Sequence, residues 1–233
     1  MIPKKIHYCW FGRGEKPKLA KKCIASWKKC CPDYEIIEWN EDNFDVGKYP
    51  YAQYCLENKK WAFLSDFARL IIILEHGGIY FDTDVELIKS MDNLLNYEAF
   101  YGFENSEYVA SGLGFGAEKG HNTVAKMLEE YADLRNEDGS FEFMGCPRLN
   151  TAALVKIGLI QNGKEQVVAG AHIFPEDYFN PFDDPTGRLN LTENTYSIHW
   201  YAKSWMSKKA VLRSKLTRPL HRIFGKDAFR KKR

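Results

Sequence analysis

Two patterns of hydrophobic and polar residues alternate along the chain: short apolar runs typical of strands, and four-residue repeats typical of helices. Residues 5–12 and 34–40 are short apolar and aromatic runs, which predict strands. Between them, residues 16–30 place Leu19, Cys23 and Trp27 at four-residue steps among lysines, which predicts an amphipathic helix. Residues 61–78 form a longer and more apolar run, so we predict a buried helix that ends at its glycine pair.

The same alternation continues toward the C-terminus. Further strands are predicted at 77–87, 98–104, 112–117 and 166–174, and helices at 121–133 and 147–157. Strands that alternate with helices indicate an α/β fold with a mostly parallel central sheet flanked by helices. In such sheets, ligands bind at the carboxyl ends of the strands.

The predicted strand at 77–87 carries two carboxylates, Asp82 and Asp84. On an extended chain, residues two apart point to the same face, so the two charges would repel each other. Mg²⁺ or Mn²⁺ would remove this cost and keep positions open for phosphate oxygens, which makes a nucleotide diphosphate the natural ligand. The alternative is that Asp82 caps a turn and Asp84 pairs with a surface lysine.

The apolar helix carries the sequence Ser65-Asp66-x-x-Arg69. Asp66 and Arg69 are three residues apart and therefore share one face of the helix. A local ion pair would satisfy both charges. Because the neighbouring residues are apolar, binding of a polar ligand's hydroxyl groups is the second explanation.

Trp10 ends the first predicted strand. An aromatic side chain at the carboxyl end of a strand can stack on a nucleobase, although a core aromatic would produce the same pattern. The glycine-rich residues 112–120 do not match the dinucleotide-binding fingerprint.

Composition narrows the class of protein. The chain has 233 residues, of which 45% are hydrophobic and 27% charged, enough for one large domain with a substantial core. We expect no secretory signal and no membrane span, since the longest apolar run, LIIIL, is too short. The six cysteines contain no Cys-x-x-Cys pair, so we expect reduced thiols and no zinc site.

The net charge of +2 hides an asymmetry. Residues 203–233 contain 12 Lys and Arg and one acidic residue, so this segment carries +11 and the remaining residues carry −9. We therefore divide the chain into a body, 1–205, and a basic amphipathic tail, 206–233, whose leucines recur at helical spacing. The tail could lie on an anionic membrane or pack against the body, and Pro219 should kink or divide its helix. We expect no nucleic-acid partner.

The stretches IPKKIHYCWFG, WAFLSDFARLIIILEHGGIYFDTDVELIKSMDNLL and GFGAEKGH together resemble glycosyltransferase family 32 over residues 2–205. The resemblance implies a nucleotide-sugar-binding fold of the GT-A type. It also implies a metal-dependent reaction that retains the anomeric configuration.

The resemblance also implies roles for the motif residues. Trp10 would stack on the nucleobase, while Ser65, Asp66 and Arg69 would hold the donor sugar. Tyr80 and Asp82 would contact the donor, and Asp84 would bind the metal directly with help from Asp82. Of these residues, four form the predicted catalytic set: Asp66, Arg69, Asp82 and Asp84.

Family members close the donor site with C-terminal residues, and residues 197–205 are the counterpart by position. His199 would be a further metal ligand, and Ser204 and Trp205 would contact the diphosphate. A histidine at the edge of the core is the alternative for His199. Many relatives carry Asn-x-Gly where this chain has Ala110-Ser111-Gly112, so the identity of the donor does not carry over.

Together these features predict a retaining transferase that uses Mn²⁺ or Mg²⁺ and a UDP-sugar carrying galactose, glucose or an N-acetylhexosamine. The expected acceptor is a glycan or lipid-linked oligosaccharide in capsular or surface polysaccharide synthesis. We expect a cytoplasmic protein, peripheral on the inner face of the cell membrane. A metal-dependent nucleotidyltransferase or phosphohydrolase, and a non-catalytic sugar- or membrane-binding module, are the alternatives.

Overall fold

The computed structural model describes residues 1–204 and 206–225. The strands and helices alternate through most of this length, as the sequence predicts. In chain order they are β1 (Lys5–Cys9), α1 (Lys18–Cys30), β2 (Glu35–Trp39), α2 (Pro50–Glu57), α3 (Trp61–His76), β3 (Gly78–Tyr80), β4 (Val85–Leu87), β5 (Ala99–Gly102), β6 (Phe115–Ala117), α4 (Asn122–Glu129), α5 (Cys146–Lys156), β7 (Gln166–Val168), β8 (Ala171–Phe174), α6 (Glu176–Phe179), β9 (Phe182–Asp183), β10 (Arg188–Leu189), β11 (Ser197–His199), α7 (Lys208–Leu216) and α8 (Arg218–Phe224).

Seven of the strands form one sheet in the order β2-β1-β3-β6-β5-β8-β7. Strands β2, β1, β3, β5 and β8 run in one direction, while β6 and β7 run in the opposite direction. Successive residues of β3 contribute to different cores, Ile79 to the core that includes Trp27 of α1 and Tyr80 to the core that includes α3. The predicted α/β fold with a mostly parallel sheet is therefore confirmed, with apolar packing on both faces.

Helix α3 supports the middle of this sheet. Leu64, Ala68 and Ile72 recur every four residues and are fully buried, because this spacing puts them on one face. The helix ends at Gly77, which has a φ of +65° and whose amide donates to the carbonyl of Ile73 at 2.8 Å. A Cβ at Gly77 would lie 2.9 Å from the amide nitrogen of Lys119, so glycine is required for this close approach.

The prediction of one continuous strand over 77–87 is wrong. Strand β3 ends at Tyr80, and the amide of Val85 donates to the carbonyl of Asp82 at 3.0 Å, which closes a turn through Thr83 and Asp84. Strand β4 then pairs antiparallel with β11 in a separate two-stranded sheet. The two aspartates are therefore not on the same face of an extended strand, and another geometry brings them together.

Other predicted elements differ in their bounds. Residues 166–174 form a hairpin of β7 and β8, because Ala169 and Gly170 adopt positive φ values and reverse the chain. The predicted strand at 112–117 begins only at Phe115, after a short 3-10 turn, and the predicted helix at 121–133 ends at Glu129. Helix α2 and the short elements between α6 and β11 were not predicted.

The described part of the basic segment, residues 206–225, contains two helices. Helix α7 ends at Leu216, and α8 begins at Arg218 with Pro219 in its first turn, so the proline divides the predicted helix. All six cysteines have free thiols in the structure. Within the described ranges, none of the helices combines the length and the apolar character needed to cross a membrane.

Candidate active site

Arg69 of α3 is the centre of a buried charge cluster. Its side chain is only 2% exposed, and its Nη2 lies 2.7 Å from Oδ1 of Asp66 and 2.9 Å from Oδ1 of Asp82. Its Nε donates to the carbonyl of Ser65 at 3.1 Å. The predicted ion pair within the helix therefore exists, and the same guanidinium also binds the first aspartate after β3.

Two neighbours hold the Asp82 carboxylate in place. The hydroxyl of Tyr80 donates to Oδ1 of Asp82 at 3.2 Å, and the Tyr80 ring lies 4.8 Å from the guanidinium carbon of Arg69. A Cβ on Gly112 would lie 2.6 Å from Oδ2 of Asp82, so the lack of a side chain at Gly112 lets this loop approach the carboxylate closely. Asp82 is thus positioned by α3, by β3 and by the loop before β6.

Asp84 is held by the C-terminal part of the chain. Its Oδ1 lies 3.2 Å from Nε2 of His199, and its Oδ2 accepts a hydrogen bond from the amide of Ala202 at 2.7 Å. The amide of Trp200 donates to the backbone carbonyl of Asp84 at 3.0 Å. The pairing of β11 with β4 places His199 opposite Val85, one residue after Asp84, and so brings the imidazole to the carboxylate.

The pKa values of the two aspartates are shifted in opposite directions. Burial raises the pKa of Asp82 to about 6, because lost hydration and the nearby Asp84 outweigh the opposing charge of Arg69. Burial also acts to raise the pKa of Asp84, but the charge and hydrogen bond of His199 and the amide of Ala202 lower it below its ordinary value. Burial opposes protonation of His199, yet Asp84 holds the pKa of the imidazole above its ordinary value.

The donor atoms at this site fit a divalent cation. One ligand atom each from Asp82, Asp84 and His199 lies within 4.8 Å of the others. Carboxylate oxygen and imidazole nitrogen are common donors to Mn²⁺, and carboxylates suit Mg²⁺. Nδ1 of His199 is buried and has no hydrogen-bond partner among the described residues, whereas Nε2 faces the carboxylates. These three residues could hold the predicted metal.

The remaining predicted site residues are less closely joined to this cluster. Trp10 follows β1 at the same sheet edge, and its Nε1 donates to the carbonyl of Gly14 at 2.6 Å. Lys16 Nζ lies 5.5 Å from the centre of the Trp10 ring. Ser204 is exposed two residues after Ala202, and Trp205 lies outside the described residues.

Four residues that contact the cluster were not among the predicted site residues. Nη1 of Arg69 lies 3.7 Å from Sγ of Cys146 and 3.5 Å from Oγ of Ser111. The hydroxyl of Tyr201 donates to Oε1 of Glu104 at 3.4 Å, beside His199. The position of Glu104 as the last residue of the strand predicted at 98–104 was the one available signal for it, because carboxyl ends of strands form ligand sites.

One protein-family model matches part of the chain. Residues 17–101 match the model of the glycosyltransferase sugar-binding region containing the DXD motif. The chain carries this sugar-binding region. The matched range includes Asp66, Arg69 and both aspartates of the DXD motif, and the predicted resemblance to glycosyltransferase family 32 is confirmed.

Curated relatives belong to the same class of enzyme. Lactosylceramide 4-alpha-galactosyltransferase of Mus musculus is 30% identical over 183 residues, which are 73% of this chain and 49% of that protein. Inositol phosphoceramide mannosyltransferase 3 of Schizosaccharomyces pombe is 28% identical over 138 residues, which are 54% of this chain and 36% of that protein. The chain therefore spans half or less of the length of these two relatives.

A solved structure shares the fold. The PaToxG glycosyltransferase superposes with a TM-score of 0.53 at 18% identity, covering 66% of this chain and 69% of that one. The predicted fold class, an α/β fold of the GT-A type, is thereby confirmed.

Proposed function

We propose that this protein is a metal-dependent glycosyltransferase that moves a hexose from a UDP-sugar to a glycan acceptor. The observation that carries the proposal is the convergence of Asp82, Asp84 and His199 beside the buried Arg69–Asp66 pair. A nucleotidyltransferase or phosphohydrolase would also use paired aspartates, but it would leave the sugar-binding DXD region unexplained.

Each part of the site has a chemical task in this proposal. A bound Mn²⁺ or Mg²⁺, held by Asp84, Asp82 and His199, would stabilise negative charge on the departing diphosphate. Arg69 and Asp66 would orient the hydroxyl groups of the donor sugar, and Arg69 would add positive charge near the breaking bond. Trp10 would stack on the uracil, while Ser204 and Trp205 would contact the diphosphate.

Retention of configuration is proposed to proceed by attack on the same face from which the diphosphate leaves. The bond from the anomeric carbon to the diphosphate breaks with its electron pair going to the diphosphate. The acceptor oxygen then bonds to the same carbon, and its proton passes to the diphosphate. A glycosyl–enzyme adduct trapped and detected by mass spectrometry would contradict this route.

The proposed acceptor is a glycolipid or a lipid-linked oligosaccharide. Two relatives are named as enzymes that transfer mannose or galactose to ceramide-based lipids, which supports a lipid acceptor. The 4-alpha linkage in the name of the galactosyltransferase is what retention gives from an α-linked sugar nucleotide. A role in capsular or surface polysaccharide synthesis is the setting we infer for this acceptor.

The direct test is a transfer assay. The protein is incubated with Mn²⁺, one of UDP-galactose, UDP-glucose or UDP-N-acetylglucosamine, and lactosylceramide as the probe acceptor. We expect UDP release and an elongated lipid with one of the donors, both abolished by EDTA, and an α-linked product by NMR. Release of UMP or phosphate would favour the nucleotidyltransferase or phosphohydrolase, and an absence of turnover with every donor would favour a binding module.

The C-terminal helices are proposed to hold the enzyme on an anionic membrane. Their apolar side chains are exposed, with Leu216 at 70%, Ile223 at 73% and Phe224 at 63%. Arg218 and Arg222 pack against the body, where Arg218 pairs with Asp184 at 2.9 Å and Arg222 donates to the carbonyl of Thr186. Leu216 directly follows Lys215, and Ile223 directly follows Arg222, so exposed apolar and basic residues alternate on this segment. This combination suits a lipid surface with negative charge.

Vesicle binding tests this second part of the proposal. We expect the whole chain, but not a chain truncated after residue 205, to sediment with vesicles containing phosphatidylglycerol. UDP release should persist after truncation. Equal binding by both chains would contradict membrane attachment through the tail. A whole chain that does not sediment with the vesicles would contradict our proposal of a peripheral position on the cytoplasmic face of the membrane.

A further inference from the structure

Glu104 is a carboxylate at the sheet edge that the proposed donor site does not use. Strand β5 ends at Gly102, and the amide of Glu104 donates to the carbonyl of Tyr108 at 2.7 Å, which fixes the backbone just beyond the strand. Its side chain is half-buried. In a sheet of this type, that edge is where substrates bind.

The carboxylate of Glu104 can accept more hydrogen bonds than it does in the structure. A carboxylate can accept about four hydrogen bonds. Within residues 1–204 and 206–225, the carboxylate of Glu104 takes part in no ion pair, and its one hydrogen bond is the long contact with the Tyr201 hydroxyl at 3.4 Å. Burial raises the pKa of Glu104 and the charge of His199 opposes this rise. Lost hydration is unfavourable for a charged carboxylate unless a ligand donates to it.

The topology places Glu104 opposite the donor cluster. Strand β6 lies between β3 and β5, so the two carboxyl ends are about 10 Å apart, at about 5 Å for each strand spacing. The Ser111–Gly112 loop lies in this gap and contacts Asp82 and Arg69. Asp82 and Glu104 therefore follow the two strands that flank β6.

A single segment spans both sides. Residues 199–202 contact Asp84 through His199 and Ala202, and contact Glu104 through Tyr201. The rings of His199 and Tyr201 lie 4.2 Å apart. Tyr201 adopts a φ of +50°, an uncommon conformation for a tyrosine, and this conformation accompanies its contact with Glu104. The same segment, residues 199–202, thus contacts both Glu104 and the predicted metal ligand Asp84.

We propose that Glu104 binds the acceptor sugar, with its carboxylate accepting a hydrogen bond from an acceptor hydroxyl and orienting that sugar toward the donor. The assignment rests on the proposed glycosyltransferase activity. Arg69 and Asp66 serve the donor sugar on the β3 side, so the free carboxylate on the β5 side is available to the second sugar. Carboxylates suit this role because a charge-assisted hydrogen bond from a hydroxyl is strong and directional.

Comparing transfer with hydrolysis tests the assignment. Water replaces the acceptor in UDP-sugar hydrolysis, so a residue that binds only the acceptor affects transfer more than hydrolysis. In Glu104→Gln, we expect the ratio of transfer to lactosylceramide over UDP-galactose hydrolysis to fall about 10- to 100-fold, the effect of one hydrogen bond to a charged group. Glu107→Gln, an exposed glutamate of the same loop, should leave the ratio unchanged.

Other outcomes would overturn the assignment. An unchanged ratio, or a parallel fall of hydrolysis and transfer, would remove Glu104 from the acceptor site. If Glu104→Gln does not fold, Glu104→Asp keeps the charge and should raise KM for the acceptor more than KM for the donor. A wild-type protein that releases no UDP from any UDP-sugar would instead contradict the proposed function itself.

Discussion

Asp82 and Asp84 are separated by one residue, yet different parts of the molecule hold them. Asp82 is bound by Arg69 of the buried helix α3 and by Tyr80 of the central sheet. Asp84 is bound by His199 and the amide of Ala202, both more than a hundred residues away along the chain. The turn between β3 and β4 is where these two supports meet.

Because the two aspartates have different supports, stability and ligand binding should depend on different sides of the site. The position of Asp82 depends on the folding of the core, because its partner Arg69 is almost fully buried. The position of Asp84 depends on the docking of residues 199–202 against β4, which a core mutation would not disturb directly. We therefore expect mutations on the Asp82 side to change stability, and mutations on the Asp84 side to change metal and donor binding.

The largest expected effect is on the Asp82 side. Arg69→Met leaves Asp66 and Asp82 close together without a cation, and breaking a buried pair of this kind costs about 3–5 kcal/mol. The melting temperature should fall by about 10 °C, measured by circular dichroism, since 1 kcal/mol shifts a domain of this size by about 2–4 °C. Arg135→Met, at an exposed arginine, is the control and should melt like the wild type.

On the other side, Asp84→Asn should preserve the fold and remove most of the activity. The amide keeps the size of the side chain but loses the charge that a divalent cation requires. We expect Mn²⁺-dependent UDP release to fall about 100-fold, as for the loss of one strong electrostatic contact in an active site. Asp133→Asn, at an exposed aspartate, should retain the wild-type rate. A retained rate in Asp84→Asn would remove Asp84 from the metal site.

His199→Gln separates the two explanations for this histidine. If His199 is a metal ligand, the apparent affinity for Mn²⁺ should fall about 10-fold or more while the melting temperature of the metal-free protein changes little. Titration of activity with Mn²⁺ gives this affinity. If His199 is only a core-edge histidine, the melting temperature falls and the affinity for Mn²⁺ does not change. His76→Gln, at an exposed histidine, is the matched control.

The smallest expected effect is the contribution of Asp82 to the pH dependence of the free energy of unfolding. Because the pKa of Asp82 is raised from 3.8 to about 6, the folded protein binds a proton between these values that the unfolded chain does not. Asp82 therefore lowers stability progressively as pH rises through about 6. In EDTA at pH 7.5, Asp82→Asn should raise the free energy of unfolding by about 1 kcal/mol, or the melting temperature by about 2–4 °C.

This gain should shrink as the pH is lowered toward 4, where Asp82 is protonated in the wild type. Calorimetry at a series of pH values follows the difference between the two proteins. A lower melting temperature for Asp82→Asn at pH 7.5 would show that the pairing with Arg69 outweighs the cost of burying the charge.

Local patterns explain which parts were predictable. Helix α3 follows from an apolar repeat within 16 residues, and its end follows from the glycine pair that begins at Gly77. The sequence predicted both, and the structure shows the positive φ of Gly77. The pairing of Asp66 with Arg69 follows from their spacing on one helix. The turn at Thr83 and Asp84 was missed because β4 pairs with β11, a contact that no local pattern encodes.

The same reason applies to the rest of the site. Cys146 reaches Arg69 because α5 packs beside the loop before β6, and Glu104 faces the site because β5 lies two strands from β3. His199 was predicted from family resemblance alone, and the pairing of β11 with β4 explains how it reaches Asp84. Contacts between distant segments therefore completed a site whose motifs were visible in the sequence.

The central claim is that Asp82, Asp84 and His199 bind a divalent cation that in turn recruits a uridine diphosphate. The most direct measurement is the melting temperature of the wild-type protein with UDP, GDP or CMP, each with Mn²⁺ or with EDTA. We predict that UDP with Mn²⁺ raises it by several degrees, since saturation at 100 times Kd adds about 2.7 kcal/mol, and that no other combination does so. An equal shift by UDP in EDTA, or no shift with Mn²⁺, would contradict the account.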